Sequence, residues 1–163
     1  MWAPARGAPV LIRRGGVSHS HWLRVLRSYV STIAIGNLIW EAAQLPLYTI
    51  WSTGTPRENA FAVVHCTFGD VMVALSTLAV ALLVVGRWDW PVRAFWLVAV
   101  LAVLLGVGST VFLEWLNVVV RKSWAYSALM PVLPILGFNV GLSPLLQWIV
   151  VPSVALWRAR RSG

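Results

Sequence analysis

Three acidic side chains lie within stretches of the sequence that are otherwise apolar. The chain has five acidic residues, and Glu41, Asp70 and Glu114 fall inside such stretches. A charged group at the centre of a bilayer costs roughly 2.5 to 3.5 kcal/mol, so these three are expected to face the interior of a helical bundle. Burial also makes a carboxyl group a candidate general acid or base near neutral pH. The three acids are therefore our catalytic candidates.

Glu41 and Glu114 each belong to a polar stripe, a row of polar residues along one face of a predicted helix. Each stripe steps by four, three and four residues, which keeps its members on one face of a helix. Its members are Asn37, Glu41, Gln44 and Tyr48 in the first stripe, and Thr110, Glu114, Asn117 and Arg121 in the second. Neither stripe has a reason to contact lipid, so we expect the two to face each other.

His65 is a further catalytic candidate, because a histidine can exchange protons near neutral pH. On a regular helix it lies about 140° around the axis from Asp70, so the two side chains need not meet. The ligand-binding candidates are polar and aromatic residues at the same end of the predicted bundle: Asn37, Gln44, Tyr48, Asn117, Arg121, Trp124, Tyr126 and Gln147. Interhelical hydrogen bonding remains an alternative role for the amides, and interfacial anchoring for the aromatic residues.

These residues support three functional hypotheses. The first is a site that binds or transforms a small or lipophilic ligand entering from the outer side. The second is proton or cation handling, with Glu41, Asp70, Glu114 and His65 as the groups involved. The third is an accessory subunit whose polar stripes bind a membrane-protein partner. No nucleophile elbow, zinc-protease helix or phosphate loop is present, so the reaction is left open and no cofactor or resident metal is predicted.

The composition predicts an all-α integral membrane protein. Of 163 residues, 59% are hydrophobic and only 11% are charged, far from the average soluble domain. The net charge of +8 comes from short cationic clusters between apolar stretches, so it indicates membrane topology and not a nucleic-acid surface. The lipid bilayer is the expected partner.

Four membrane-spanning helices are predicted, over residues 28–51, 60–86, 94–120 and 143–160. The last uncharged stretch, residues 123–157, would measure roughly 52 Å as one helix, so it must be broken. Ser143 and Pro144 are typical of a helix start and place the break there. Residues 121–142 then form an irregular or half-helical outer cap before the fourth helix.

The distribution of lysine and arginine predicts the orientation. Ten of the thirteen cations lie at the N-terminal arm, the second loop and the C-terminal tail, which places both termini in the cytoplasm. We expect a disordered basic arm over residues 1–22 and a transmembrane domain over residues 23–163. The protein is thus predicted to be multi-pass in a cell membrane, most simply a bacterial inner membrane, alone or as a homodimer.

The two stripes also suggest an internal repeat. Asn37-x3-Glu41-x2-Gln44-x6-Trp51 aligns without gaps on Thr110-x3-Glu114-x2-Asn117-x6-Trp124. Both segments run outward in the predicted topology, so the bundle can be described as two parallel-repeat helical hairpins.

Overall fold

The computed structural model describes residues 19–86 and 90–162. Most of them are helical. In chain order the elements are α1 (His19–Gln44), a 3₁₀ turn (Leu45–Leu47), α2 (Ile50–Thr53), α3 (Pro56–Val85), α4 (Phe95–Glu114), a π-helix that continues α4 (Trp115–Val120), β1 (Val132–Ile135), β2 (Phe138–Gly141) and α5 (Leu142–Ser162).

The helices differ from the predicted spans mainly at the first one. The predicted span 28–51 corresponds to α1, which begins at His19 and ends at Gln44, because Pro46 lies in the turn that follows and cannot continue the helical hydrogen bonds. The predicted arm, residues 1–22, lies outside the described residues as far as residue 18, and residues 19–22 form the first turn of α1.

A capping box sets the start of α3. The Thr55 hydroxyl accepts a hydrogen bond from the Glu58 amide, and the Glu58 carboxylate accepts one from the Thr55 amide at 2.7 Å, with Pro56 in the first turn. These contacts satisfy N–H groups that a helix start leaves free. The helix therefore begins four residues before the predicted span 60–86. The other two helical segments, 95–120 and 142–162, follow the predictions closely.

The segment predicted as an irregular or half-helical cap, residues 121–142, contains a β-hairpin and no α-helix before Leu142. Strands β1 and β2 pair antiparallel, with Val132 opposite Gly141. Leu136 and Gly137 both have positive φ, 49° and 85°, which is the backbone of the tight turns that join antiparallel strands. The expectation of half-helical structure was wrong because this turn favours strand pairing.

The four long helices pack in a ring in which each packs mainly against two others. Helix α1 packs against α3 and α5, and α4 packs against the same two helices. Helices α1 and α4 are therefore diagonal, as are α3 and α5, which is the arrangement that two repeated hairpins would require. Small and apolar residues such as Ile33, Ala74, Val98 and Ala155 fill the centre.

Large apolar side chains cover the outside of this ring. Phe61, Phe68, Trp96 and Leu104 are 63–69% exposed, whereas soluble proteins rarely expose continuous apolar surface on this scale. Among the described residues, two helical segments are long and apolar enough to cross a membrane, Pro56–Val85 and Phe95–Val120. Helices α1 and α5 are not apolar enough to be counted with these two, since polar residues interrupt their apolar runs. Two of the four expected spans are thus found, and they indicate association with a membrane.

The contact between α4 and α5 requires a glycine at position 106. A methyl group there would overlap the ring of Trp148, whereas one at Gly108 would meet nothing within 4 Å. We expect Gly106→Ala to lower the free energy of unfolding by about 1–3 kcal/mol, because the buried ring must shift. Gly108→Ala should change it by less than about 1 kcal/mol. Thermal unfolding in detergent, followed by circular dichroism, measures both; equal effects would contradict the contact.

Candidate functional site

One carboxamide joins three helices at the end of the ring where α5 begins. Gln147 lies in the first turns of α5 and is 2% exposed. Its Nε2 atom lies 3.0 Å from Asn37 Oδ1, 3.0 Å from Glu41 Oε1 and 2.9 Å from Asp70 Oδ2. The two acceptors on α1 are four residues apart, so they face α5 together. The acids of α1 and α3 therefore meet at a single amide.

Gln44 extends the network towards Ser143 and Trp40. Its Nε2 donates to Glu41 Oε1 at 2.8 Å and to Gln147 Oε1 at 3.1 Å. Its Oε1 accepts a hydrogen bond of 2.8 Å from the Ser143 hydroxyl, which in turn accepts one of 3.1 Å from the Trp40 indole. We call this set the Gln147 network; it consists of Asn37, Trp40, Glu41, Gln44, Asp70, Ser143 and Gln147.

The Gln147 network has fewer donors than acceptors. Gln147 Nε2 carries two hydrogens and faces three oxygen acceptors. The carboxyl groups of Glu41 and Asp70 share this donor, so they lie close to each other. Among residues 19–86 and 90–162, no cation forms an ion pair with either acid. The Gln147 amide therefore holds together two carboxyls that lack a cationic partner among those residues.

Glu114 forms a second acidic centre on α4. It is 5% exposed and accepts a short hydrogen bond from the Tyr126 hydroxyl. The same hydroxyl accepts a hydrogen bond of 2.9 Å from the Gly141 amide at the end of β2. Tyr126 thus connects the beginning and the end of the cap, residues 121–142, to α4. We call its hydrogen bonds with Glu114 and Gly141 the Tyr126 latch.

The chain after α1 pairs with the chain around Tyr126. The Thr49 amide donates to the Ala125 carbonyl and the Ser127 amide to the Leu47 carbonyl, both at 2.9 Å. The rings of Tyr48 and Tyr126 pack at 5.7 Å between centroids, with their planes 52° apart. This contact brings the turn after α1 under the cap.

Burial keeps the two tyrosines in their neutral form. It raises the pKa of Tyr126 above its ordinary value, and the neighbouring Glu114 adds to the shift. Burial also raises the pKa of Tyr48, and Glu114 and Glu41 both contribute through their charge. A phenol whose pKa is raised stays protonated throughout the neutral range, so Tyr126 remains a donor there. Tyr48 lies within electrostatic reach of both acidic centres.

The structure brings together five of the residues singled out by spacing and leaves four of them apart. Asn37, Glu41, Gln44, Asp70 and Gln147 form one hydrogen-bonded group, and Glu114, Tyr48 and Tyr126 form a second set of contacts. His65, Asn117, Arg121 and Trp124 take no part in this group.

His65 points away from the acids. It is exposed, and its ring stacks on Phe61 at 5.5 Å and 17°. Helix α3 is continuous through Gly69, so the angle of about 140° between His65 and Asp70 is kept. The expected proton exchange between His65 and the acids has no contact to support it. Among the described residues, no three histidine, cysteine or acidic side chains converge as a metal site would require.

The π-helix explains the position of Asn117. The π-helical turn after Glu114 is wider than an α-helical turn and contains an extra residue. Asn117 therefore does not lie on the helix face that the second stripe predicted. Its amide donates to the Leu113 carbonyl of its own helix at 2.9 Å. Arg121 is exposed, and Trp124 is half-buried with no hydrogen-bond partner for its indole N–H among residues 19–86 and 90–162.

Sequence reasoning missed three members of the site. Ser143 was assigned only to the helix start, although it lies four residues before Gln147 and shares its face. Trp40 was not singled out because an indole in an apolar segment is usually a packing residue. Cys66 lies one turn before Asp70 and within electrostatic reach of Glu41, Asp70 and Glu114.

Comparison of the chain with models of protein families, with curated proteins and with solved structures finds no match. Any functional argument therefore rests on the geometry of the Gln147 network and the Tyr126 latch.

Removing the Gln147 carboxamide should destabilise the fold. In Gln147→Leu, Asn37, Glu41 and Asp70 lose their shared donor, and a buried polar group without a partner costs about 1–3 kcal/mol. Asn117→Leu is the control, because that amide bonds only within its own helix and its loss should cost less than about 1 kcal/mol. Unfolding by sodium dodecyl sulfate in mixed micelles measures both. If the two variants lose equal stability, Gln147 does not hold the acids together.

Removing the Tyr126 hydroxyl should loosen the cap without disturbing the bundle. Tyr126→Phe leaves the Gly141 amide and the Glu114 carboxyl without their common partner. We expect hydrogen exchange at residues 132–141 to accelerate about 10-fold, since hydrogen bonds to charged groups contribute about 1.5–3 kcal/mol. Tyr48→Phe keeps the aromatic pair and serves as the control. Unchanged exchange in Tyr126→Phe would mean that the strands hold the cap by themselves.

Proposed function

We propose that this chain is a four-span membrane protein that binds a small or lipophilic ligand at the Glu41–Asp70 carboxyl pair. The four-span topology is supported by the outward apolar surface and by the packing of α1 and α5 against the two apolar helices. The beginning of α1 and the end of α5 lie together, since the Ser162 hydroxyl donates to the Ser28 hydroxyl at 2.9 Å. The cationic residues of both helices are at this end, which favours cytoplasmic termini and an outward-facing carboxyl pair.

The observation that carries this proposal is an apolar groove beside the carboxyl pair. It lies between α1 and α3, has a volume of about 420 Å³ and is lined by Ala34, Ile35, Leu38, Val64, Thr67, Phe68 and Val71. Leu38 precedes Glu41 by one turn, and Val71 follows Asp70 directly. The groove wall therefore includes sequence neighbours of both acids but neither acid itself, and it lies on the side that would face acyl chains.

Glu41 and Asp70 are the members of the Gln147 network suited to meet a ligand. Both are partly exposed, whereas Asn37, Gln44 and Gln147 are 2–5% exposed. A lipophilic molecule in the groove would present a hydroxyl, carbonyl or amine to a carboxyl pair that can both donate and accept a proton. The buried amides then serve to orient the acids. Binding is the step supported here, and the same pair offers general acid and base groups for a transformation.

A second candidate is proton or cation handling. It is favoured by two neighbouring carboxyls that lack a cationic partner among the described residues. Carboxyl oxygens are groups that can take up a proton or meet a hard cation. This function needs the carboxyls but not the apolar groove, so the two candidates respond differently to a side chain that fills the groove.

The test compares what co-purifies with the protein from its native membrane. Organic extracts of wild type, Leu38→Trp and Ile39→Trp are measured by mass spectrometry. The second tryptophan is the matched control, since Ile39 is 64% exposed on the same helix and does not line the groove. Filling the groove should reduce the retained compound at least about 5-fold, as overpacking by 1–3 kcal/mol implies, whereas Ile39→Trp should retain it.

Glu41→Gln distinguishes the two candidates. If the ligand proposal holds, this variant also loses the retained compound, because a carboxamide cannot replace a protonated carboxyl pair. Proton uptake into vesicles that Glu41→Gln abolishes and Leu38→Trp leaves intact would instead support proton handling. Identical extracts from all variants, with no compound lost, would refute ligand binding at this groove.

A further inference from the structure

A second groove lies between α4 and α5, at the end of the ring opposite the Gln147 network. Its volume is about 380 Å³, and its walls include Trp96, Ala99 and Val103 of α4 and Ser153, Leu156 and Trp157 of α5. Trp96 is 69% exposed and Trp157 is 49% exposed. The groove is therefore an apolar channel on the outer surface with an aromatic residue on each side.

Two arginines stand over the aromatic residues of this groove. The Arg160 guanidinium carbon lies 4.8 Å from the ring centre of Phe95 and 5.7 Å from that of Trp96. The guanidinium carbon of Arg161 lies 3.8 Å from the ring centre of Trp157. Both contacts fall within the range of cation–π attraction, which fixes the position of each charge.

This stacking leaves hydrogen-bond donors free. A guanidinium uses its face against a ring, whereas its N–H groups point outward in its own plane. In residues 19–86 and 90–162, neither Arg160 nor Arg161 has an ion-pair or hydrogen-bond acceptor. Two oriented cations with unoccupied donors thus lie at the end of an apolar channel.

We infer that this groove binds an anionic phospholipid, with an acyl chain between α4 and α5 and the phosphate at Arg160 and Arg161. The apolar channel matches an acyl chain, and planar guanidinium donors match phosphate oxygens. A second copy of the chain would place the same arginines against each other, so charge disfavours it as the occupant. The inference depends on membrane embedding and is independent of any ligand at the carboxyl pair.

The test measures lipid binding to the full chain in detergent by native mass spectrometry. The probes are dioleoyl phosphatidylglycerol and dioleoyl phosphatidylcholine, which share acyl chains and differ in net charge. Wild type should prefer phosphatidylglycerol. The double variant Arg160→Gln and Arg161→Gln should lose about 30-fold in affinity for phosphatidylglycerol, at roughly 1 kcal/mol per cation, and its affinity for phosphatidylcholine should remain.

Two controls separate this site from general attraction to a cationic protein. Arg57→Gln with Arg121→Gln removes the same charge from two exposed positions at the other end of the ring and should leave the preference unchanged. Val103→Trp fills the channel without a change in charge and should weaken binding of phosphatidylglycerol, whereas Ile39→Trp should not. Circular dichroism confirms that each variant is folded.

Three outcomes would overturn the inference. The first is equal affinity of wild type for the two lipids. The second is an equal loss in the Arg57 and Arg121 double variant, which would show that net charge alone attracts the lipid. The third is displacement of phosphatidylglycerol by inorganic phosphate at the same concentration, which would show an anion site that makes no use of the channel.

Discussion

The buried Gln147 side chain imposes one constraint on the whole arrangement: acids on two different helices share the same donor. A polar group inside an apolar bundle finds its partners on neighbouring helices or loses free energy. Gln147 supplies these partners to α1 and α3 from the first turns of α5. Helix α5 is therefore positioned by the polar contacts of Gln147 and by the packing of the next residue, Trp148, against Gly106.

The two acidic centres have different surroundings and so suit different roles. Glu41 and Asp70 both accept hydrogen bonds from the Gln147 amide, and both are partly exposed near an apolar groove. Glu114 is buried and bonded to a tyrosine that also holds the end of β2. The first centre can meet a molecule from outside, whereas the second connects the cap to α4. Tyr48, packed on Tyr126, links them.

Sequence alone predicted the helical segments and much of the first acidic centre. Asn37, Glu41 and Gln44 follow regular helical spacing, and an acid between apolar residues has few stable places other than the interior. The same reasoning did not place Asn117, because spacing on a sequence assumes an α-helix and a π-turn changes it. Nor did it predict the hairpin, whose turn has a leucine with positive φ where glycine or asparagine is usual. The hydrogen bond between Ser143 and Trp40 forms because two helices pack side by side. No local sequence pattern predicts that packing.

The chain contains a single cysteine, Cys66, half-buried and one turn before Asp70. A thiol-directed fluorophore or spin label would therefore attach at one position, without removal of other reactive residues. That position lies within electrostatic reach of all three acids. Cys66 is thus a native attachment site for a spectroscopic probe near the Gln147 network.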